Sequence, residues 1–273
     1  MRLTARIPVT AGLLTLSLLS ATGCKRLRAN DQLNKGVADF KNARYESAEN
    51  HFQQAVKINP DDPNALIFLC TTYSSQIVPN LDSPDNKKLV QTALSCFRSV
   101  LKMQPTNVIA LKQIASIDRN AGNPEEAKAD EKKVIELTPG DSEAYYTIGV
   151  IDWAQAFKNA NDVLASEGLH DEINGNLKIS KPGCAKLSAE NTPLITEGMQ
   201  YLQKAIDLKS SYEEAMTYMS LIARRKGDLE CGNAEAVKAD LALADVWAKK
   251  SMGARAENEK KKEEKLKGGV SMQ

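Results

Sequence analysis

The feature that most constrains this chain is a recurrence of small residues and prolines at fixed intervals. In "GVADFKNARYESAENHFQQAVKINP", residues 36–60, Gly36, Ala48, Phe52, Ala55 and Pro60 follow one another at intervals of 12, 4, 3 and 5 residues. Such spacing suits two antiparallel helices. Gly36 and Ala48 sit where the helices cross closely, and a larger side chain there would push them apart. Phe52 and Ala55, three apart, share one face of the second helix. Pro60 ends that helix because it has no backbone N–H with which to continue it. Downstream, Ala127, Val134 and Pro139 occupy the places of Ala48, Ala55 and Pro60, and Pro139 lies 34 residues after Pro105. A period of that length, with two helices per unit, means a stacked array in which each unit buries its apolar face against the next.

The pattern resembles the tetratricopeptide (TPR) repeat, and five helix pairs account for residues 30–252. The resemblance implies an all-α fold, an α-solenoid of about five TPR-like helix pairs with insertions. The 45 residues from Pro60 to Pro105 exceed one repeat by 11. The excess falls at about 77–89, where Pro79, Asn80, Asp82, Ser83 and Pro84 signal a long turn. Gly149 takes the glycine role in the fourth pair, and Gly198 and Ala205 the small-residue roles. The 71 residues from Pro139 to Ser210, the equivalent of a repeat-ending proline, imply an insertion at about 157–193. A shorter one at about 230–235 precedes the last helix, which buries Leu241, Val246 and Trp247. The Lys/Glu-rich tail, 253–273, is expected to fray and then be disordered.

The N-terminus carries a different signal. Arg2 and Arg6 precede an apolar run from Ile7 to Leu19, no acidic residue appears before Asp31, and the run ends in "LLSATGC". This is the layout of a secretory signal. The stretch Ala21-Thr22-Gly23-Cys24 resembles the lipobox of bacterial lipoproteins, with Ala21 where leucine is commoner. The resemblance implies removal of residues 1–23, diacylglycerol on the Cys24 sulfur and a tether over 24–29. Two or three acyl chains give a stable anchor where one does not. The alternatives are a chance cysteine after a plain signal and an uncleaved anchor. The apolar run is shorter than the roughly 20 residues of a spanning helix and contains Pro8. Lys25, Arg26 and Arg28 suit an anionic surface. Lys25 is not the aspartate that retains many lipoproteins at the inner membrane, so the expected location is the outer membrane, facing the periplasm.

The chain has a formal charge of +1, and losing Arg2 and Arg6 with the signal leaves −1. This balance makes no case for nucleic acid. Of five cysteines, Cys24 is assigned to lipid. An exported chain with Cys70, Cys96, Cys184 and Cys231 permits two disulfides. Cys184 and Cys231 are expected to pair, pinning the long insertion as a loop with little core of its own. For Cys70 and Cys96, two small buried thiols at a close crossing is the favoured reading.

There is no phosphate loop, metalloprotease helix or nucleophile elbow, and no cofactor is implied. His51 reads as an edge residue of a repeat helix. His170, with Cys184 and Cys231, offers thiolate and imidazole for a metal such as zinc, but without closely spaced ligand pairs. A metal-binding or enzymatic protein using 157–193 is therefore the alternative function. The resemblance points instead to a scaffold, not an enzyme, that binds a protein or peptide partner on the surface of its first helices. That surface takes in Leu33, Val37, Phe40, Ile67, Arg119, Tyr146, Val150, Trp153 and Arg224, a set suited to apolar anchors and an acidic end. In TPRs that clamp chaperone C-termini, Lys and Asn hold positions here taken by Leu33 and Val37, which disfavours that activity. Small lipoproteins of this type assist envelope assembly or secretion.

Overall fold

The structure is a computed structural model and describes residues 10–79, 81–172, 176 and 178–270, with side chains from Lys25 to Lys267. The architecture is all-α, and the described residues form ten α-helices and one 3-10 turn, Asp228–Glu230. The helices follow the repeat pattern in order, so the chain is an array of TPR-like helix pairs of the α-solenoid class.

Met1–Ala121 form one compact unit. It contains α1 (Thr10–Lys41), α2 (Tyr45–Ile58), α3 (Pro63–Ser74), α4 (Pro84–Met103) and α5 (Val108–Asn120), each packed on the next. Local chemistry sets the starts. Asp62, Ser83 and Asn107 each accept a hydrogen bond from a backbone N–H of the first turn they precede, and Pro63 and Pro84 open α3 and α4. Phe52 is fully buried with Ala48 and Leu69, and Leu33, Val37 and Phe40 of α1 pack against that cluster. A second cluster gathers Cys70, Ala93, Phe97, Val100, Ala110 and Ile114.

Cys70 and Cys96 are bridged across α3 and α4, with Cα atoms 5.4 Å apart. The close crossing read from the sequence is what brings the two sulfurs within bonding reach, so the expectation of free thiols gives way. The extra residues near 77–89 form a short link and lengthen α4. Asn86 fastens the link, accepting from Val78 N at 2.9 Å and donating to Val78 O and Leu81 O.

Gly122–Gln273 form the second unit, with α6 (Pro124–Leu137), α7 (Ser142–Ser166), α8 (Lys181–Leu208), α9 (Glu213–Gly227) and α10 (Ala234–Val270). The insertion expected as a loop over 157–193 is mostly helix. α7 has 25 residues and α8 has 28, where α5 and α6 have 13 and 14. Only residues 167–180 link them. The lengthened parts have their own core, Ala160, Val163 and Leu187 with Ile179 and Leu229. Asn191, fully buried, donates to Ala156 O at 2.8 Å and accepts from Asn159. Pro193 lies inside α8; it forgoes one N–H without ending the helix, because the buried face on both sides of it is continuous.

The tail, expected to fray and then be disordered over 253–273, is helical as far as Val270, the end of α10, and 271–273 lie outside the described residues. Ala254 is buried, and Asn258 donates to Ser211 O and Glu213 Oε2. Beyond it Glu257–Lys261 and Glu263–Lys267 pairs, four apart, support the helix. At the other end the expected tether is part of α1, with Ala29 1% exposed. Residues 1–9 lie outside the described residues, as do the side chains of 10–24, so the signal segment and the Cys24 sulfur fall outside the description. Among the described residues no helix is long and apolar enough to cross a membrane.

The small-residue positions make a sharp prediction. A Cβ added at Gly36 would come within 2.5 Å of the Phe52 ring, and that ring has no space to yield. Alanine in mid-helix gains up to about 1 kcal/mol of propensity over glycine, while overpacking costs about 1–3 kcal/mol. Gly36→Ala should therefore destabilise, by about 1 kcal/mol net. Gly253→Ala, where nothing lies within 4 Å, should stabilise slightly. Thermal unfolding of the two variants distinguishes them by sign.

Candidate partner-binding faces

The residues read as a binding surface divide between the two units and fare differently. In the first unit Leu33, Val37 and Phe40 are half-buried against Phe52, and Ile67 is half-buried against the cluster around Cys70. They hold α1, α2, α3 and α4 together and leave little surface for a ligand. Arg119 is exposed in the last turn of α5. What opens between α3 and α5 is a cleft of about 260 Å³ lined by Thr71, Ser74, Gln113, Ser116, Ile117 and Asn120 among others. Its character is polar and uncharged. Ser74 Oγ is 3.4 Å from Gln113 Oε1 across it.

The second unit gathers an aromatic stripe. On α7, Tyr146, Val150, Trp153 and Phe157 recur at helical spacing and share one face. Ring contacts advance along α7 and α9 together. Tyr146 meets Tyr212 and Tyr218 at 5.1 and 5.6 Å between centroids. Trp153 meets Tyr218 edge-on at 5.2 Å and stacks on Phe157 at 5.5 Å. Phe157 is 37% exposed, and Tyr146, Val150, Trp153 and Tyr218 are half-buried. Burial, reinforced by nearby Tyr146, Glu143 and Glu214, holds the Tyr212 phenol above its ordinary range. Lys209 lies over the Tyr212 ring, 4.1 Å from its centroid.

Arg224 is directed elsewhere, pairing with Asp245 of α10 at 3.0 Å. Its neighbour Arg225 takes the place at the end of the stripe, with its guanidinium 5.6 Å from the Phe157 centroid. Arg225 is 6% exposed and contacts Asp171 at 3.0 Å and Asp228 at 3.1 Å. Asn176, also buried, donates to Asp228 at 2.8 Å and to Asp171 at 3.0 Å, and accepts from Glu172 N. The 167–180 link is thus tied to the C-terminal end of α9. Burial pushes Asp228 up to about 6 against the pull of Arg225. The same turn carries the Cys184–Cys231 disulfide, whose Cα atoms are 5.4 Å apart.

A second buried network joins α6, α7 and α8. Lys128 donates to Asp152 at 2.6 Å and to Glu197 at 2.7 Å, and Lys132 donates to Glu197 at 2.8 Å. Asp152 is fully buried, and burial raises it to about 6 despite Lys128. Burial also opposes the charge of Lys128, but the bonds to Asp152 and Glu197 outweigh it and keep the amine protonated.

Phe157, Tyr218 and Arg225 join the candidate stripe although the sequence reading did not include them. The signal was present for Phe157, four residues after Trp153, but the length excess placed the start of an insertion there and cut the stripe short. Both histidines have surroundings of their own. His51 Nδ1 is 2.7 Å from Gln32 Oε1, and His170 lies exposed beside Asn176 and Ile179. Among the described residues no cluster of three or more His, Cys, Asp or Glu side chains is arranged to hold a metal ion.

The tetratricopeptide repeat model matches residues 32–62, the end of α1 and all of α2. Sperm-associated antigen 1 of Mus musculus is 30% identical over 92 residues. That stretch is 34% of this chain and 9% of the mouse protein, so the chain spans less than a tenth of that relative's length. Among solved structures, a crystal structure of MamA superposes with a TM-score of 0.53 at 15% identity, covering 82% of this chain and 96% of that one. A MamA RS-1 double mutant gives 0.55 at 16%, covering 85% and 96%. MamA from Desulfovibrio magneticus RS-1 gives 0.50 at 17%, covering 80% and 96%. These likenesses concern the fold.

Proposed function

We propose that this array of helix pairs, with a tetratricopeptide repeat at residues 32–62, is a membrane-anchored scaffold that holds a protein or peptide partner in the cell envelope. The observation that carries the binding reading is the half-exposed stripe of Tyr146, Val150, Trp153, Phe157 and Tyr218 along α7 and α9. Large, stiff rings displayed on a rigid helix face bury much area at little entropic cost, and such residues dominate interface energetics. The anchor reading rests on the basic start, the apolar run and "ATGC" ending at Cys24. Anchoring would place the stripe near envelope proteins, in a role in assembly or secretion, at the outer membrane facing the periplasm.

The partner we propose carries apolar and aromatic anchors and needs no acidic end. With Arg224 engaged by Asp245 and Arg225 enclosed by two carboxylates, neither guanidinium is placed to receive an acidic end. The stripe suits apolar and aromatic anchors. The alternative of a metal site in the insertion loses support, because the two candidate thiolates are joined to each other.

The test is crosslinking in the native cell, followed by membrane purification and mass spectrometry, for wild type, Cys24→Ala and Trp153→Ala. Cys24→Ala should leave the membrane fraction and lose its crosslinked partners. Trp153→Ala should stay at the membrane and lose partner recovery by about tenfold or more, as truncation of an anchor costing 2 kcal/mol implies. Unchanged recovery for Trp153→Ala removes the stripe as the binding surface, and unchanged fractionation for Cys24→Ala removes the anchor.

A further inference from the structure

We propose that the Cys184–Cys231 disulfide is a redox latch that sets the conformation of one end of the aromatic stripe. The path from sulfur to ring is continuous. Cys231 is exposed and left-handed, with φ of 49°, immediately after the 3-10 turn Asp228–Glu230. Cys184 is 1% exposed on α8, and its sulfur lies 3.8 and 3.9 Å from the carbonyl oxygens of Asp228 and Leu229. The bridge therefore presses the turn onto α8. From within that turn Asp228 accepts from the Asn176 amide and pairs electrostatically with the Arg225 guanidinium. Arg225 in turn holds Asp171 and lies over Phe157, which stacks on Trp153.

The remaining ties between turn and α8 are weaker. Ser188 Oγ donates to Leu229 O at 3.2 Å, and the Leu229 side chain packs in two clusters. A tie of this kind keeps the turn near α8 without fixing the Asp228 carboxylate, which must stay in place to accept from Asn176 and to compensate the buried charge of Arg225. The two bridges also differ in access. Cys70 is fully buried and Cys96 half-buried, whereas Cys231 is exposed, so a dithiol meets Cys231 first.

The chemistry is thiol–disulfide exchange with a dithiol reductant. One reductant thiolate attacks the Cys231 sulfur, and Cys184 leaves as a thiolate and takes a proton. The second reductant thiol then attacks the mixed disulfide, closes the reductant's own disulfide and releases Cys231. Two electrons and two protons pass to the protein. With the bridge open, the 228–231 turn lifts from α8, Asp228 releases Asn176 and Arg225, and Asp171, Asn176 and Phe157 lose their fixed positions.

The latch matters for function only on the reading of the stripe as the binding surface, but its test needs no partner. The full chain with Trp247→Phe retains Trp153 as its one tryptophan, since the sequence has two. Titration with dithiothreitol should red-shift Trp153 emission reversibly and raise amide exchange at 169–172 and 178–180 by about tenfold or more. Helical circular dichroism should hold. Asp228→Ala, with the bridge closed, should reproduce the shift, which a purely stapling bridge would not predict. A Cys70→Ser/Cys96→Ser variant should respond like its parent. The proposal is overturned by unchanged emission and exchange on reduction, by loss of helix across the unit, by silence of Asp228→Ala, or by a response that disappears with the other bridge. Failure of Trp153→Ala to lose partners would leave this result intact, and so separates the two readings.

Discussion

Lys128→Met is expected to lower the stability of the second unit by about 3–5 kcal/mol near neutral pH, and by clearly less near pH 5. Asp152 is fully buried between α6 and α8, and Lys128 is its cationic hydrogen-bond partner at 2.6 Å. Methionine fills the volume but leaves a carboxylate in a low-dielectric site without compensation. The pH dependence follows from the direction of the shifts. In the native protein burial already raises Asp152 to about 6 from 3.8. A group raised on folding contributes stability that is complete below its unfolded value and is lost as pH rises through its folded value. Asp152 and Asp228, both raised to about 6, should thus each make the wild-type unit about 1 kcal/mol more stable at pH 5 than at 7.5. Glu197 is affected in the opposite sense: burial opposes its charge, but Lys128 and Lys132 hold it below its ordinary value. Its contribution is lost only as pH falls below the ordinary carboxylate range. Removing Lys128 raises Asp152 further, so protonation restores more of the loss. Urea unfolding followed by tryptophan emission reports on this unit, because Trp153 and Trp247 both lie in it. Equal losses at both pH values would rule out the buried carboxylate as the cause.

Phe52→Ala should cost the first unit about 3–5 kcal/mol. The ring is fully buried, stacks on Phe68 at 5.5 Å and fills the space that Gly36 leaves open. Helix α1 cannot close inward on the void without dragging Leu33, Val37 and Phe40 out of their contacts. Phe68, 37% exposed, is the matched control, since the outer ring of the same stack should cost about 1 kcal/mol. Amide exchange in α1 to α3 distinguishes them. Comparable protection in the two variants would mean that the Gly36–Phe52 contact is not what fixes the first helix pair.

The residues that made the fold legible were those whose chemistry is local and periodic. Gly36 against Phe52, Gly149 against Leu202 and Gly198 against Ile222 are close approaches, and their spacing along the chain could be read without coordinates. Length excess was equally plain, but its form was not. Nothing in the count of residues from Pro139 to Ser210 distinguishes a loop from longer helices, and the insertion expected to end at 193 has its last residue, Pro193, inside α8. The continuous buried face of α8, including Leu187, Asn191 and Ile195, was the discriminating pattern. The candidate surface was half-legible for the same reason. Tyr146, Val150 and Trp153 form part of the stripe, while Leu33 and Val37 are drawn into the core because α1 has α2 and α3 to cover. Arg224 and Arg225 differ by one helical step of about 100°, and sequence alignment to a repeat does not fix which of two adjacent arginines faces α7. The helical tail was hidden by its composition, since lysine and glutamate read alike in a solvated helix and in a disordered chain.

Seven of the nine buried positions of α8, Cys184, Leu187, Asn191, Ile195, Gly198, Leu202 and Ala205, follow one another in steps of three and four, and the other two, Gly183 and Ile206, flank that stripe at its ends. Its surplus of 14 residues over α6 is close to four full turns, so the two halves of α8 present the same face to their partners. This sets a rule for how such a chain tolerates insertions and deletions. A gain or loss of seven residues in α8 keeps one face toward α7, whereas a change of two turns half the helix away from its partners. Homologues should therefore differ in α8 by sevens more readily than by ones or twos.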